Sequence, residues 1–365
     1  MSSSNFLFSN GVILHPSDAP PVSTFLESHP GAYTTTRTHN NASFLLFWDR
    51  HLQRLANSAR ILFESKPEFL FESSKSSFSL PSLPATSSSK WDSTVRSLVN
   101  DALSEVVPVA LGEKRVGEEW AVTTLVTGNL EKLKEIDCVG GDGFSALLDV
   151  RVHVQPYVLP AFGFGVNGAH LAVVGRGRDV AAAKYSNWVR LRKGLEKLRP
   201  PSVTELLLSN DGDQLLEGSI TNFFVVCRKD KSESKGNDLH DHGGAYSVEV
   251  QTAPIGDGGV LKGVIRQLVI EVCLSKGIPV REVAPSWAKR ELWEEAFITS
   301  SLRVLQHVET VKVPSFWESL ESKSWGEISW NEKRFKEGPG MITKIIQEEI
   351  MVRAHLEGFP LSKFI

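Results

Sequence analysis

The stretch 179–226, DVAAAKYSNWVRLRKGLEKLRPPSVTELLLSNDGDQLLEGSITNFFVV, limits what this chain can fold into more than any other part of it. Lys184 stands ahead of Trp188, Leu191, Leu195 and Leu198, which recur at helical spacing until Pro200 and Pro201 stop the run. The spacing predicts one helix with Lys184 on its entry turn. Strand-like runs at 204–209, 214–216 and 221–226 then alternate with turn residues, and Asp211-Gly212 is the strongest hairpin signal. Glu217 falls just before the last run. A lone lysine or glutamate is ordinarily a solvated surface group, so any chemical role for this pair depends on what the rest of the chain supplies.

The preceding half supplies an ordered series of elements. Phe6 to Phe8, Asn10-Gly11 and Val12 to Leu14 read as a hairpin. Residues 31–38 form a β-branched strand, Asn40-Asn41 a turn, and 44–48 a returning strand. In 49–62, Leu52, Leu55, Ala56, Ala59 and Leu62 make one face of a helix. Residues 72–90, crowded with serine, proline and lysine, read as a flexible insertion between helices. Strands are expected at 121–127 and 147–154, flanking a polar, glycine-rich excursion, and 158–168 reads as an interdomain linker. That linker holds a literal G-x-G-x-x-G at Gly163, Gly165 and Gly168. The dinucleotide reading needs a helix directly after it, whereas 169–174 looks like a strand, so a bend between domains is expected.

After the hairpin, a polar loop at 228–244 contains His240 and His242, a pair without a third ligand for a metal. A strand at 246–252 follows. Next come Asp257 to Arg266 (DGGVLKGVIR) feeding a helix, Phe297-Ile298-Thr299-Ser300-Ser301, and a glycine turn at Gly338-Pro339-Gly340 before a closing helix. The free N–H groups at a helix start can bind an anion without help from side chains.

A lysine, a helix, a hairpin and a carboxylate before Gly218-Ser219-Ile220-Thr221-Asn222-Phe223 resembles the core of the class IV, fold-type IV pyridoxal-phosphate aminotransferases. This family includes branched-chain and D-amino-acid aminotransferases and aminodeoxychorismate lyases. Residues 49–62 resemble its H-L-x-R-L-x-x-S-A helix, 257–266 its D-x-x-L-x-G-[IV]-T-R turn and 297–301 its F-[IV]-T-S-T run, so the likeness spans nearly the whole chain. It implies a two-domain α/β fold, D-amino-acid-aminotransferase-like, with a smaller domain at 1–160, a larger one at 161–365 and a cofactor in the cleft between them. It implies pyridoxal 5'-phosphate joined to Lys184, with Glu217 on the pyridine nitrogen. Arg54, Val264, Ile265, Ser300 and Ser301 would hold the phosphate. Ile265 stands where many members carry threonine, so a hydroxyl contact is lost there while the amide remains.

The chemistry explains the need for these groups. The lysine amine must lose its proton readily, and a carboxylate that keeps the pyridine ring cationic lets the ring draw in electrons. An arginine fork matches phosphate oxygens. The function implied is amino transfer between an amino acid or amine and a 2-oxo acid, by a homodimer. A lyase on the same scaffold and a non-catalytic binding protein are the alternatives.

Substrate signatures are altered. Phe-Glu-Gly of branched-chain enzymes is replaced by Tyr33-Thr34-Thr35, and the arginine of D-amino-acid enzymes and lyases by Thr127. Tyr33 and Arg178, with Arg176 as the alternative arginine, are the candidates for a substrate carboxylate, and Val189 replaces a tyrosine found in branched-chain enzymes. A net charge of −3 gives no reason to expect nucleic acid or an anionic membrane as partner. No apolar run reaches the roughly 18 residues of a membrane span. No metal is expected. Three scattered cysteines and an N-terminus without signal features make a cytoplasmic location the expectation.

Overall fold

The structure is a computed structural model. It describes the chain apart from residues 1–4, 10, 15–16, 72–86, 136–142, 164–167, 230–245, 257–258, 319 and 321–322. Most of the serine-rich run, Asn10, Gly165, Asp257, His240 and His242 therefore lie outside the described residues. The chain forms two compact units. Met1–Leu159, Ala183–Leu191 and Ala354–Ile365 make the first, and Pro160–Ala182 and Arg192–Arg353 the second.

In the first unit β1 (Phe6–Ser9) and β2 (Val12–Leu14) form the expected antiparallel hairpin, with Gly11 at φ +81° in its turn. After α1 (Val22–Ser28) comes β3 (Ala32–His39). The turn that follows holds Asn40, Asn41 and Ala42 at φ 56–57°. Each such left-handed residue costs about 1–2 kcal/mol, and a single buried carboxylate offsets the cost. Glu119 accepts from the Thr38 hydroxyl (2.5 Å) and from the amides of Asn41 (2.7 Å) and Ala42 (3.1 Å).

The returning strand β4 is only Phe44–Leu45, because Phe47 turns left-handed and α2 (Trp48–Ser65) begins at once. The predicted apolar face of α2 is buried, together with His51 and Ser58. The next helix, α3 (Ser88–Glu113), starts inside the serine-rich run, capped where the Ser87 side chain accepts from the Lys90 amide. It continues through Pro108. β5 (Glu119–Gly128), the short helices α4 (Leu130–Glu135) and α5 (Gly143–Ala146), and β6 (Leu148–Tyr157) follow. These strands and the terminal Phe359–Pro360 make a seven-stranded sheet in which β5 lies between β3 and β6.

In the second unit β7 (Ala169–Val173) starts directly after Gly168, so the glycine motif opens no helix. The single helix expected after Lys184 is instead two short turns, α6 (Asn187–Leu191), which belongs to the first unit, and α7 (Lys193–Glu196), which belongs to the second. The segment serves two cores rather than one. Val189 packs with Leu7, Phe25, Leu26, Tyr33 and Leu125, while Leu195 and Leu198 pack with Ala172, Val174, Val203 and Leu206. Leu191 is half exposed, and Gly194, a poor helix former, lies near the break.

The expected hairpin joins β8 (Glu205–Ser209) to β9 (Leu215–Gly218). Asp211 accepts from the amides of Asp213 and Gln214, and Gly212 has φ +83°. β10 (Asn222–Arg228) and the expected strand β11 (Val248–Thr252) pair antiparallel. α8 (Val264–Ser275), β12 (Val280–Glu282), β13 (Trp293–Ser300), β14 (Val304–Pro314), β15 (Trp330–Arg334) and α9 (Met341–Leu356) complete the chain's regular elements. Strands β10, β13, β14, β7, β8 and β9 pair in sequence, and the pair Glu217–Asn222 joins β9 back to β10. The ring closes at the candidate carboxylate, around a core that includes Leu171, Leu207, Phe223, Val225 and Ile298.

Candidate active site

Lys184 lies outside regular secondary structure, after a turn and three residues ahead of α6, not on a helical turn. Its carbonyl accepts from the Tyr33 amide (2.9 Å), its amide donates to Ser58 Oγ (3.1 Å), and Tyr185 bridges to Ala32. The backbone is thus tied to both β3 and α2, while Nζ stands 4.6 Å from the centre of the buried Tyr33 ring, a cation–π distance.

Arg54 projects from the same helix and donates from Nη2 to Thr34 Oγ1 (2.7 Å). Thr34 Oγ1 also meets Nδ1 of the fully buried His51, again at 2.7 Å. Burial, reinforced by the nearby Arg54 and Lys184 charges, holds His51 well below the usual imidazole value of 6.5. The ring is neutral. His51, Arg54 and Ser58, at i, i+3 and i+7, share one helix face. Arg54 was among the candidates read from the sequence; His51, Thr34 and Ser58, which the structure brings against Arg54 or Lys184, were not. The available signal was two polar residues on the core stripe of α2, since buried polar groups are the informative exception.

The second unit assembles its own cluster. Glu217 is buried, and its Oε1 accepts from Arg178 Nε (2.8 Å) and Nη2. Oε2 accepts from Asn222 Nδ2 (3.1 Å) and the Leu261 amide (3.0 Å). Arg178 was expected to face a substrate carboxylate. Its side chain is 3% exposed and ion-paired with Glu217.

Val264 and Ile265 are the first two residues of α8, so their amides have no intrahelical acceptor. A Cβ on the preceding Gly263 would stand 2.0 Å from Asn222 Oδ1, so glycine alone lets the helix start this close to the Glu217 network. Ser300 ends β13, its hydroxyl accepting from the Arg303 amide (3.2 Å), and Ser301 begins the turn to β14. Buried Val304 closes that turn at φ +63°, a strained conformation for a β-branched residue. The hydroxyls of Thr221 and Thr299 are buried and have no hydrogen-bond partner among the described residues. Thr299 pairs across the sheet with Asn222.

The sequence model of the family described as amino-transferase class IV matches residues 169–311. These residues belong to the class IV aminotransferase family. The class IV segment includes Arg178, Lys184, Glu217, Val264, Ile265, Ser300 and Ser301, while Tyr33 and Arg54 precede it.

Solved structures extend the likeness in fold to the whole chain. A putative branched-chain amino acid aminotransferase from Thermotoga maritima is 18% identical, with 97% of this chain and 98% of that one covered and a TM-score of 0.55. The branched-chain amino acid aminotransferase of Escherichia coli is 19% identical over 95% and 93%, TM-score 0.57. An aminotransferase from Brucella abortus, bound to pyridoxal phosphate, is 16% identical over 96% and 99%, TM-score 0.56. No curated protein matches by sequence.

Among the described residues no group of three or more His, Cys, Asp or Glu side chains is placed to hold a metal ion. No helix among them is long and apolar enough to cross a membrane. Cys227 and Cys273 are buried, and burial pushes both thiols up to about 12. Burial thus keeps them protonated at neutral pH, which makes them poor nucleophiles.

Proposed function

We propose that this protein is a pyridoxal-phosphate-dependent aminotransferase acting on an amino acid or amine and a 2-oxo acid, with Lys184 as the lysine that carries the cofactor. The observation that carries the reading is Glu217, a buried carboxylate held by Arg178, Asn222 and the Leu261 amide where the strand ring closes. A carboxylate fixed in this way is a ready acceptor for a protonated pyridine nitrogen. The residues present also fit the rest of the group. The buried hydroxyls of Thr221 and Thr299 are polar atoms without partners among the described residues, and the amides of Val264 and Ile265 open a helix.

When bound, pyridoxal phosphate supplies an electron sink for negative charge at the substrate α-carbon. The chain's own groups do the rest. Lys184 Nζ, on a backbone held by Tyr33 and Ser58, takes a proton from that carbon and delivers it to the cofactor's C4′ carbon, leaving the substrate as its oxo product. The Arg54 fork, the Val264 and Ile265 amides and the Ser300 and Ser301 hydroxyls hold the phosphate. We assign Arg178 to fixing Glu217, since its donors are directed there, and keep Tyr33 as the residue facing the substrate.

The test is a half-reaction. Protein loaded with pyridoxal phosphate and given an amino donor alone should change its absorbance as the amino group moves to the cofactor, release the matching oxo product, and revert on addition of a 2-oxo acid. The donor panel should cover L- and D-amino acids and amines. A loaded protein that answers no donor would overturn the aminotransferase reading. Pyruvate released with an unchanged cofactor spectrum would replace it with a lyase.

A further inference from the structure

We propose that Thr34 and His51 form a positioning relay that sets the direction of the Arg54 guanidinium toward the cofactor phosphate, an assignment that rests on the cofactor reading above. The hydrogen-bond directions follow from the inventory of donors. A guanidinium has no acceptor, so Arg54 Nη2 donates to Thr34 Oγ1 at 2.7 Å. Thr34 is fully buried, and its hydroxyl meets one other group among the described residues, His51 Nδ1 at 2.7 Å.

If Nδ1 carried the ring proton, the Thr34 hydroxyl hydrogen and the His51 Nε2 lone pair would both be buried without partners. If Nδ1 accepts instead, only the Nε2 proton lacks one. The second arrangement leaves fewer unmet groups in a site where each is costly. The relay therefore runs Arg54 to Thr34 to neutral His51.

Its physical effect is on the arginine alone. A free arginine side chain loses considerable rotamer freedom when it grips a ligand. Here one Nη2 proton is already anchored between β3 and α2, and this anchor is a neutral hydroxyl that draws on none of the guanidinium's positive charge. A carboxylate in the place of Thr34 would draw on that charge. His51 keeps the hydroxyl oriented by accepting its only proton. Neither Thr34 nor His51 touches the reacting atoms in this scheme, so they act through Arg54 and on the phosphate end of the cofactor.

The experiment compares binding of pyridoxal phosphate and of pyridoxal, which lacks the phosphate, to the full chain freed of cofactor. Thr34→Val keeps the side-chain shape and removes the hydroxyl. It should weaken pyridoxal phosphate by roughly tenfold, the scale of one lost hydrogen bond to a charged group, and leave pyridoxal within about twofold. Thr34→Ser should restore the phosphate preference. His51→Leu should lose it in the same way, which keeps the test open if the valine variant does not fold.

Thr34→Val added to Arg54→Ala should cost nothing further, because the relay acts only through that arginine. An unchanged preference in both Thr34→Val and His51→Leu would overturn the relay. So would an equal loss for the two aldehydes, which would mark a purely structural role. Failure of the unaltered protein to bind either aldehyde would overturn the cofactor reading itself.

Discussion

Replacing Arg178 by methionine should destabilise the protein severely, and the structure gives the scale. Arg178 and Glu217 have side-chain exposures of 3% and 1%. Arg178→Met removes two of the four donors described at the Glu217 carboxylate, and the only full charge among them, leaving Asn222 Nδ2 and the Leu261 amide. Breaking a buried ion pair from one side costs about 3–5 kcal/mol, a large part of the 5–15 kcal/mol that holds a typical domain together. With a urea m-value of about 3 kcal/mol/M the midpoint should fall by about 1–1.7 M.

Adding Glu217→Gln to Arg178→Met should recover a good part of that loss. A neutral amide can still accept from Asn222 and Leu261 while burying no charge. Urea unfolding followed by tryptophan fluorescence gives both numbers. A single variant within about 1 kcal/mol of the unaltered protein would refute the reasoning. A double variant no better than the single would show that the penalty is lost packing and not a stranded charge.

Glu205 and Glu119 extend the same logic. Burial raises the Glu205 carboxyl above its ordinary 4.5, only partly offset by Arg303 and the Ser219 hydroxyl. The folded state thus holds its proton more tightly than the unfolded state, and the stability this brings is lost as pH rises above 4.5 through the raised value. Glu205→Gln should gain on the unaltered protein across that interval, read as the difference in urea midpoint between pH 4 and 8, and a difference independent of pH would contradict it. Glu119→Gln should cost about 1.5–3 kcal/mol by weakening charge-assisted bonds and should speed hydrogen exchange at the Asn41 and Ala42 amides. Unchanged exchange there would remove Glu119 as the support of the left-handed turn.

What the sequence made legible is what local physics decides. The Asp211-Gly212 hairpin, the alternating strands and the apolar stripe of α2 need only neighbours a few residues away, and the order of motifs carried the fold. What escaped depends on distant partners. His51 meets Thr34 across 17 positions, Arg54 meets Thr34 across 20, and Arg178 meets Glu217 across 39. Nothing in Arg178 itself distinguishes an arginine that receives substrate from one that fixes a carboxylate.

The helix expected after Lys184 fails for a related reason. Its spacing is sound, but the segment is divided, with Val189 packed in one core and Leu195 in another. Tertiary packing overrides a pattern that satisfies helical periodicity. The start of α3 was hidden by composition, because its Ser87 cap sits in a run whose serines and prolines read as loop.

The central claim is that Lys184 carries pyridoxal phosphate, and one measurement reaches it directly. The full chain loaded with the cofactor is reduced with borohydride, digested, and mapped by mass spectrometry. The account predicts a single pyridoxyl-phosphate label on the peptide containing Lys184, and no label in Lys184→Ala. A label on another lysine, or one that survives in Lys184→Ala, would contradict it.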